Sequence, residues 1–307
     1  MRILISILAL TFTFATSAFA ATFGPLVDAQ SLSNSRAETK PVLLDIRGDA
    51  YDEGHIEGAV SAPYALFRGP KENPGQLFDV EALEANLEKI GLTQDQPIVI
   101  VSAGSNSTDF GAAARVYWTL KSTGFSDLSI LNGGQASWVS AGLPVSSEKT
   151  TLAPTELELV FNEAWHADTD DVSKVVSGET SATLVDARLK PFFTGDKAHP
   201  AAKQPGTLPG AVNHAFTTFF NDDSPAISNI TDVSALKTSL GVEDGEDVVS
   251  FCNTGHWAAT HWFALSEIAG IENAKLYPGS MVEYSNADLP MENSPGLLKN
   301  LLNQITK

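Results

Sequence analysis

A single cysteine, Cys252, stands among 307 residues, so no intramolecular disulfide can brace the fold. Stability has to come from apolar cores, and 43% hydrophobic against 18% charged residues is a composition able to build them. Positive charge is also scarce: 19 Lys+Arg against 37 Asp+Glu leave a formal net charge of −18. A surface of that sign repels nucleic acid and anionic lipid on average, which excludes both as general partners while leaving room for a local basic pocket that takes a small anion. Histidine is sparse and scattered. His256 and His261 are five apart rather than the four that aligns two imidazoles on one helix face, so no metal site is expected.

Long apolar runs are missing beyond the first twenty residues, which read differently from the rest. Arg2 supplies a positive start, Ile3 to Ala15 is nearly continuous apolar sequence, and Ala18-Phe19-Ala20 has the small-x-small form of a cleavage site. Residues 1–20 are therefore expected to be a cleaved export signal, since the run falls short of the roughly 20 residues a membrane anchor needs. Periplasmic placement follows as an expectation, with no membrane attachment after cleavage and a mature charge of −19 once Arg2 is removed. A lone thiol in an oxidising compartment is a liability unless it is buried and inert or kept for chemistry.

The remaining chain is written twice. Pro41-Val-Leu-Leu-Asp45-Ile-Arg47 is matched by Thr183-Leu-Val-Asp186-Ala-Arg188, each an apolar strand ending in a carboxylate and an arginine. His55-Ile-Glu-Gly58-Ala-Val60 is matched by Leu208-Pro-Gly210-Ala-Val212. The β-branched runs Pro97–Val101 and Asp247–Phe251 read as buried strands, and each is followed by a loop and a helical stretch closed by Gly124 or Gly270. Each half ends on a Leu-bearing strand and a glycine turn. Strands alternating with helices at this spacing predict α/β domains, each a mostly parallel sheet flanked by helices. The expected domains are 21–150 and 156–307, joined through the polar stretch Ser146–Thr155 with its Pro154.

Ligands of open α/β sheets bind beyond the carboxyl ends of the strands, which directs attention to the loops after Val101 and Phe251. The second reads Cys252-Asn253-Thr254-Gly255-His256-Trp257 before a helix. A turn this short can curl its backbone N–H groups toward the cysteine sulfur, and the helix start adds partial positive charge. Such a cradle favours a thiolate and the anionic outer sulfur of a persulfide.

These strands, glycine turns and cysteine loop resemble, in order and over essentially the whole chain after residue 20, the rhodanese family of thiosulfate and mercaptopyruvate sulfurtransferases in its tandem-domain form. The resemblance implies a catalytic C-terminal domain with Cys252 as persulfide carrier, and an inactive N-terminal copy in which Ser102 takes the cysteine's place. From these residues to the closing glycines the first half is four positions longer, 22 against 18, which predicts a longer first loop. It further implies that Arg188 holds an anionic sulfur donor, with an ion pair to Asp186 as the structural alternative. Asn253, Thr254, Gly255, His256 and Trp257 are the expected substrate-binding loop, with His256 a candidate proton shuttle or thiolate stabiliser and Trp257 a candidate pocket wall. Phe192 and Asn253-Thr254 depart from the basic residues that the family's mercaptopyruvate and thiosulfate enzymes carry there, so donor identity stays open between the two. The expected acceptor is cyanide, a small thiol or a protein thiol, and the chemistry requires no cofactor.

Two rivals remain. Cysteine phosphatases of this fold need an arginine at the sixth position after the cysteine, where Ala258 stands. A non-enzymatic sulfur- or redox-sensing module would use the same Cys252 without turnover.

Overall fold

The computed structural model describes residues 22–295 apart from 222, 223, 229 and 231, and the expected export segment lies outside the described residues. The strands are β1 (Leu26–Val27), β2 (Val42–Asp45), β3 (His55–Ile56), β4 (Val60–Ser61), β5 (Ile98–Val101), β6 (Leu128–Leu131), β7 (Val145–Ser146), β8 (Thr183–Asp186), β9 (Val212–Asn213), β10 (Val248–Phe251) and β11 (Ala274–Leu276). The helices are α1 (Ala29–Thr39), α2 (Ala50–Glu53), α3 (Val80–Ile90), α4 (Ser107–Ser122), α5 (Gly134–Ser140), α6 (Thr169–Ser177), α7 (Lys190–Phe193), α8 (Val233–Leu240), α9 (Trp257–Phe263) and α10 (Ser280–Asn286). The acidic composition is put to structural use at helix starts. Asp28, Asp79, Asp168 and Asp232 each accept a backbone N–H of the following first turn.

Two parallel sheets result, in the order β1-β6-β5-β2-β4 and β11-β10-β8-β9. The duplication is exact in pairing: β2 lies beside β5 with Asp45 opposite Val101, and β8 lies beside β10 with Asp186 opposite Phe251. Where the first sheet adds β1 at its edge, the second has a single parallel bridge between His166 and Leu276. The central strands β5 and β10 are buried on both faces, which is why they are apolar, Ser250 apart, instead of alternating.

The cores settle how the two copies sit together. One cluster backs the first sheet with Leu32, Tyr51 and Trp138, and another backs the second with Val172, Tyr277 and Tyr284. The largest is shared by both copies and runs through α4 and α9, which pack against each other. Phe263 meets Phe110 and Tyr117 edge-on at 5.5 and 5.0 Å. Tyr117 Oη donates to Glu267 at 2.9 Å, and Lys121 pairs with the same carboxylate at 2.7 Å. The connection between copies is strapped along α3: Thr155 N–H donates to the Glu88 carbonyl, and the amides of Leu157 and Leu159 donate to the Glu88 and Glu84 carboxylates. The β5 and β10 loops are thus held at one interface.

Candidate active site at the domain interface

Strand β10 delivers Cys252 to its carboxyl end, where the residue is only 2% exposed. Its N–H donates to Ser280 Oγ at 3.0 Å, and that hydroxyl donates onward to the Tyr277 carbonyl at 2.7 Å. Ser280 adopts φ +52°, a left-handed conformation that costs a non-glycine residue about 1–2 kcal/mol and here places the hydroxyl under the cysteine.

The carbonyls of the loop all turn outward. Those of Cys252 and Asn253 accept from the amides of Met281 and Val282 at 3.1 and 3.0 Å. That of Thr254 accepts from Arg68 Nη2 at 2.7 Å, and that of Gly255 from Arg115 Nη1 at 3.5 Å. In a trans peptide the N–H points opposite to the C=O of the preceding residue, so the amides of Asn253, Thr254, Gly255 and His256 face the inside of the turn. Among the described residues none of these four has a protein acceptor. These four amides form a row at the end of β10, on the side of the turn that their carbonyls leave free.

Two glycines permit it. Gly255 sits at φ +69°, and a Cβ there would lie 2.4 Å from Arg115 Nη1 and 2.7 Å from the Pro278 carbonyl. Gly111, inside α4, lets the N-terminal domain approach the loop so closely that a Cβ would stand 2.8 Å from the His256 carbonyl oxygen.

The first half repeats the arrangement without the thiol. Ser102 follows β5 as Cys252 follows β10, and its carbonyl accepts from Gln135 N–H at 2.8 Å as the Cys252 carbonyl does from Met281. The expectation of a longer first loop is corrected: both loops span five residues, 102–106 and 252–256. The additional residues extend α4 to 16, whereas α9 has 7 and continues for 5 as a π-helix, Ala264–Ile268. A whole turn of helix can be added without moving the strand end or the glycine that closes the element.

Arg188 lies 2% exposed with its guanidinium occupied. Nε and Nη2 grip Asp186 at 2.9 and 2.6 Å, Nη2 also donates to the Gly206 carbonyl, and Nη1 reaches Asn253 Oδ1 at 3.3 Å. Arg47 and Asp45 make the same fork in the half without a cysteine, with Nη2 to Oδ2 at 2.7 Å. The geometry is that of the structural alternative, with Arg188 steadying Asn253 and through it the cysteine loop. Phe192 packs under the Arg188 guanidinium at 5.8 Å and against Trp257 at 5.9 Å. Trp257 also stacks on Phe216 at 5.0 Å and 10°, so its indole is a wall between loop and aromatic cluster.

His256 is tied across the interface. Its Nε2 lies 2.8 Å from the Thr108 carbonyl and its Nδ1 2.9 Å from Tyr64 Oη. A carbonyl only accepts, so Nε2 carries the proton, and Nδ1 accepts from the phenol. The ring is neutral. Burial, helped by the Arg68 charge, lowers its pKa from 6.5 to about 4. It therefore supplies no positive charge to a thiolate at neutral pH.

Tyr64, Arg68, Arg115 and Ser280 belong to the site although the motif reading does not single them out. Arg115 did leave a signal, a lone charge in the run Ala112-Ala-Ala-Arg115-Val-Tyr-Trp118. Tyr64 and Arg68 left none, because an exposed-looking segment after β4 gives no hint of the partner domain it meets.

Comparison with known proteins agrees with this architecture. A Synechococcus elongatus protein named "Putative thiosulfate sulfurtransferase" is 29% identical over 297 residues, covering 92% of this chain and 89% of its own. Among solved structures, the 3-mercaptopyruvate sulfurtransferase SseA of Escherichia coli superposes with a TM-score of 0.73 at 23% identity, over 84% of this chain and 98% of its own. EanB, solved with ergothioneine linked to a cysteine persulfide, superposes at 0.74 with 23% identity, over 87% of this chain and 69% of its own. The family described as rhodanese-like domain matches twice, over residues 28–141 and 168–287, and the chain accordingly belongs to the rhodanese family as a tandem pair of such domains.

Proposed function

We propose that this protein is a sulfurtransferase that moves a sulfane sulfur from a small anionic donor, thiosulfate or 3-mercaptopyruvate, to a thiophilic acceptor through a persulfide on Cys252. The carrying observation is the inward-facing row of amides from Asn253 to His256 around the chain's only thiol. Such a row stabilises charge on sulfur and needs no metal or organic cofactor.

With thiosulfate, the Cys252 thiolate attacks the outer sulfur, the S–S bond of the donor breaks, and sulfite leaves with the bonding pair. With 3-mercaptopyruvate, the C–S bond breaks, and the thiol proton ends on the methyl group of the departing pyruvate. In the second half-reaction cyanide attacks the outer sulfur and leaves as thiocyanate, regenerating the thiolate; a small thiol or a protein thiol takes the sulfur as a new persulfide. Ser102 cannot do this, since a hydroxyl stores no sulfane sulfur. The N-terminal copy therefore acts through the interface. Export to the periplasm by a cleaved segment 1–20 is part of the proposal, supported by the composition of that segment.

The test is sulfur transfer by the chain from residue 21 onward, with each donor and cyanide, alongside intact mass. Turnover with a mass gain of one sulfur, abolished in Cys252→Ser, is the expected result. No persulfide and no turnover with either donor would remove the enzyme reading and leave the sensing module.

A further inference from the structure

Arg115 is the most unusual charge in the molecule. It is fully buried in α4, and among the described residues Nε and Nη2 have no hydrogen-bond partner and Nη1 makes only the 3.5 Å contact with the Gly255 carbonyl. Its guanidinium carbon lies 5.1 Å over the Trp118 ring. Arg47 and Arg188 each carry their own aspartate, whereas no described carboxylate pairs with Arg115 in a chain that has almost twice as many acids as bases. A buried, unpaired cation is costly, so its retention calls for an anion.

The group on this loop that needs positive charge is the Cys252 thiol, three residues before the carbonyl that Arg115 touches. Burial lowers Arg115 to about 10, so it stays charged at neutral pH. Arg68 stands beside it, donating to the Thr254 carbonyl at 2.7 Å and to the Pro74 carbonyl at 3.1 Å. The other polar groups around the loop are neutral or already matched. His256 and Tyr64 bond each other, Arg188 is held by Asp186, Ser280 is a hydroxyl, and Asp109 acts on His256.

We propose that Arg115, seconded by Arg68, is the counter-cation of the Cys252 thiolate and persulfide, supplied by the N-terminal domain from the carbonyl side of the loop. Two guanidiniums on the carbonyls of Thr254 and Gly255 fix those peptide planes with the Gly255 and His256 amides turned inward, and they polarise the same amides toward the sulfur. Arg115 is a positioning residue, not a catalytic one, and it explains how a copy without a cysteine serves the reaction.

The inference rests on the persulfide reading for its purpose, but its test needs no turnover. The titration of the lone thiol, followed by thiolate ultraviolet absorbance against Cys252→Ser, is compared in the wild-type chain, Arg115→Met and Arg115→Lys. Arg115→Met is expected to raise the midpoint by about one pH unit, roughly tenfold less thiolate near neutrality, with Arg115→Lys returning most of it. Identical midpoints, or equal shifts in Met and Lys, would overturn the proposal, because a shape-only role ignores charge. Should Arg115→Met not fold, the pair Arg68→Met and Arg68→Lys gives the same readout, with the same order expected. A charge-dependent midpoint without sulfur transfer sustains this inference and removes the enzyme reading; transfer with an unmoved midpoint does the reverse.

Discussion

Acidification from about pH 7.5 to about 4.5 is expected to loosen the two copies through His256. The neutral ring bridges Tyr64 and Thr108 of the N-terminal domain, and burial holds its pKa at about 4 instead of 6.5. As pH falls, the unfolded chain takes up this proton first. The stability contributed by the neutral ring is therefore complete above about pH 6.5 and is lost progressively as pH drops through about 4. A difference of that size corresponds to about 3 kcal/mol in full, of which roughly 2–3 kcal/mol is gone by pH 4.5. His214 and His261 are also lowered by burial and add losses of the same sign, so the wild-type curve alone does not isolate His256. The assay is urea unfolding at both pH values for wild type and His256→Gln, which keeps a side-chain amide and cannot titrate. His256→Gln is expected to be less stable at the higher pH and to lose roughly 2–3 kcal/mol less than wild type on acidification. Equal losses in the two proteins would refute the buried, neutral assignment.

Gly255→Ala is expected to destabilise the chain by about 2–5 kcal/mol, combining the cost of φ +69° with a Cβ pressed against Arg115 and Pro278, and to slow persulfide formation at least tenfold. Thermal unfolding and single-turnover mass spectrometry check both, and an unchanged protein would show that the loop tolerates a side chain. Asp186→Asn is expected to cost about 3–5 kcal/mol by stranding the buried Arg188 guanidinium, whereas replacing both residues with apolar ones of similar volume recovers much of the loss. Chemical denaturation distinguishes this from a substrate-binding Arg188, for which the single substitution would raise the KM for donor with little change in stability.

The tandem architecture was legible because parallel strands buried on both faces announce themselves as short β-branched runs, and a duplicated chain shows each signal twice. The loop after β10 was legible for the same reason, since strand, tight glycine turn and helix are local features. Arg188 shows the limit of such reading. The sequence offered an arginine near a cysteine and an aspartate two residues before it, and only distances separate a substrate clamp from a structural fork. His256 shows another, because its charge state depends on a carbonyl and a phenol from the other domain, 148 and 192 positions away in the chain.

By itself the sequence determined the α/β class, the repeat, the uniqueness of the thiol and its place at a strand end, all consequences of hydrophobic periodicity and turn chemistry within short windows. Tertiary structure alone decided that Tyr64, Arg68 and Arg115 close around the cysteine loop, that His256 is neutral, and that Gly111 must be small. Those facts arise where α4 and the segment after β4 meet the loop that leads into α9, and the packing of faces far apart in the chain is not encoded in the periodicity of any one of them.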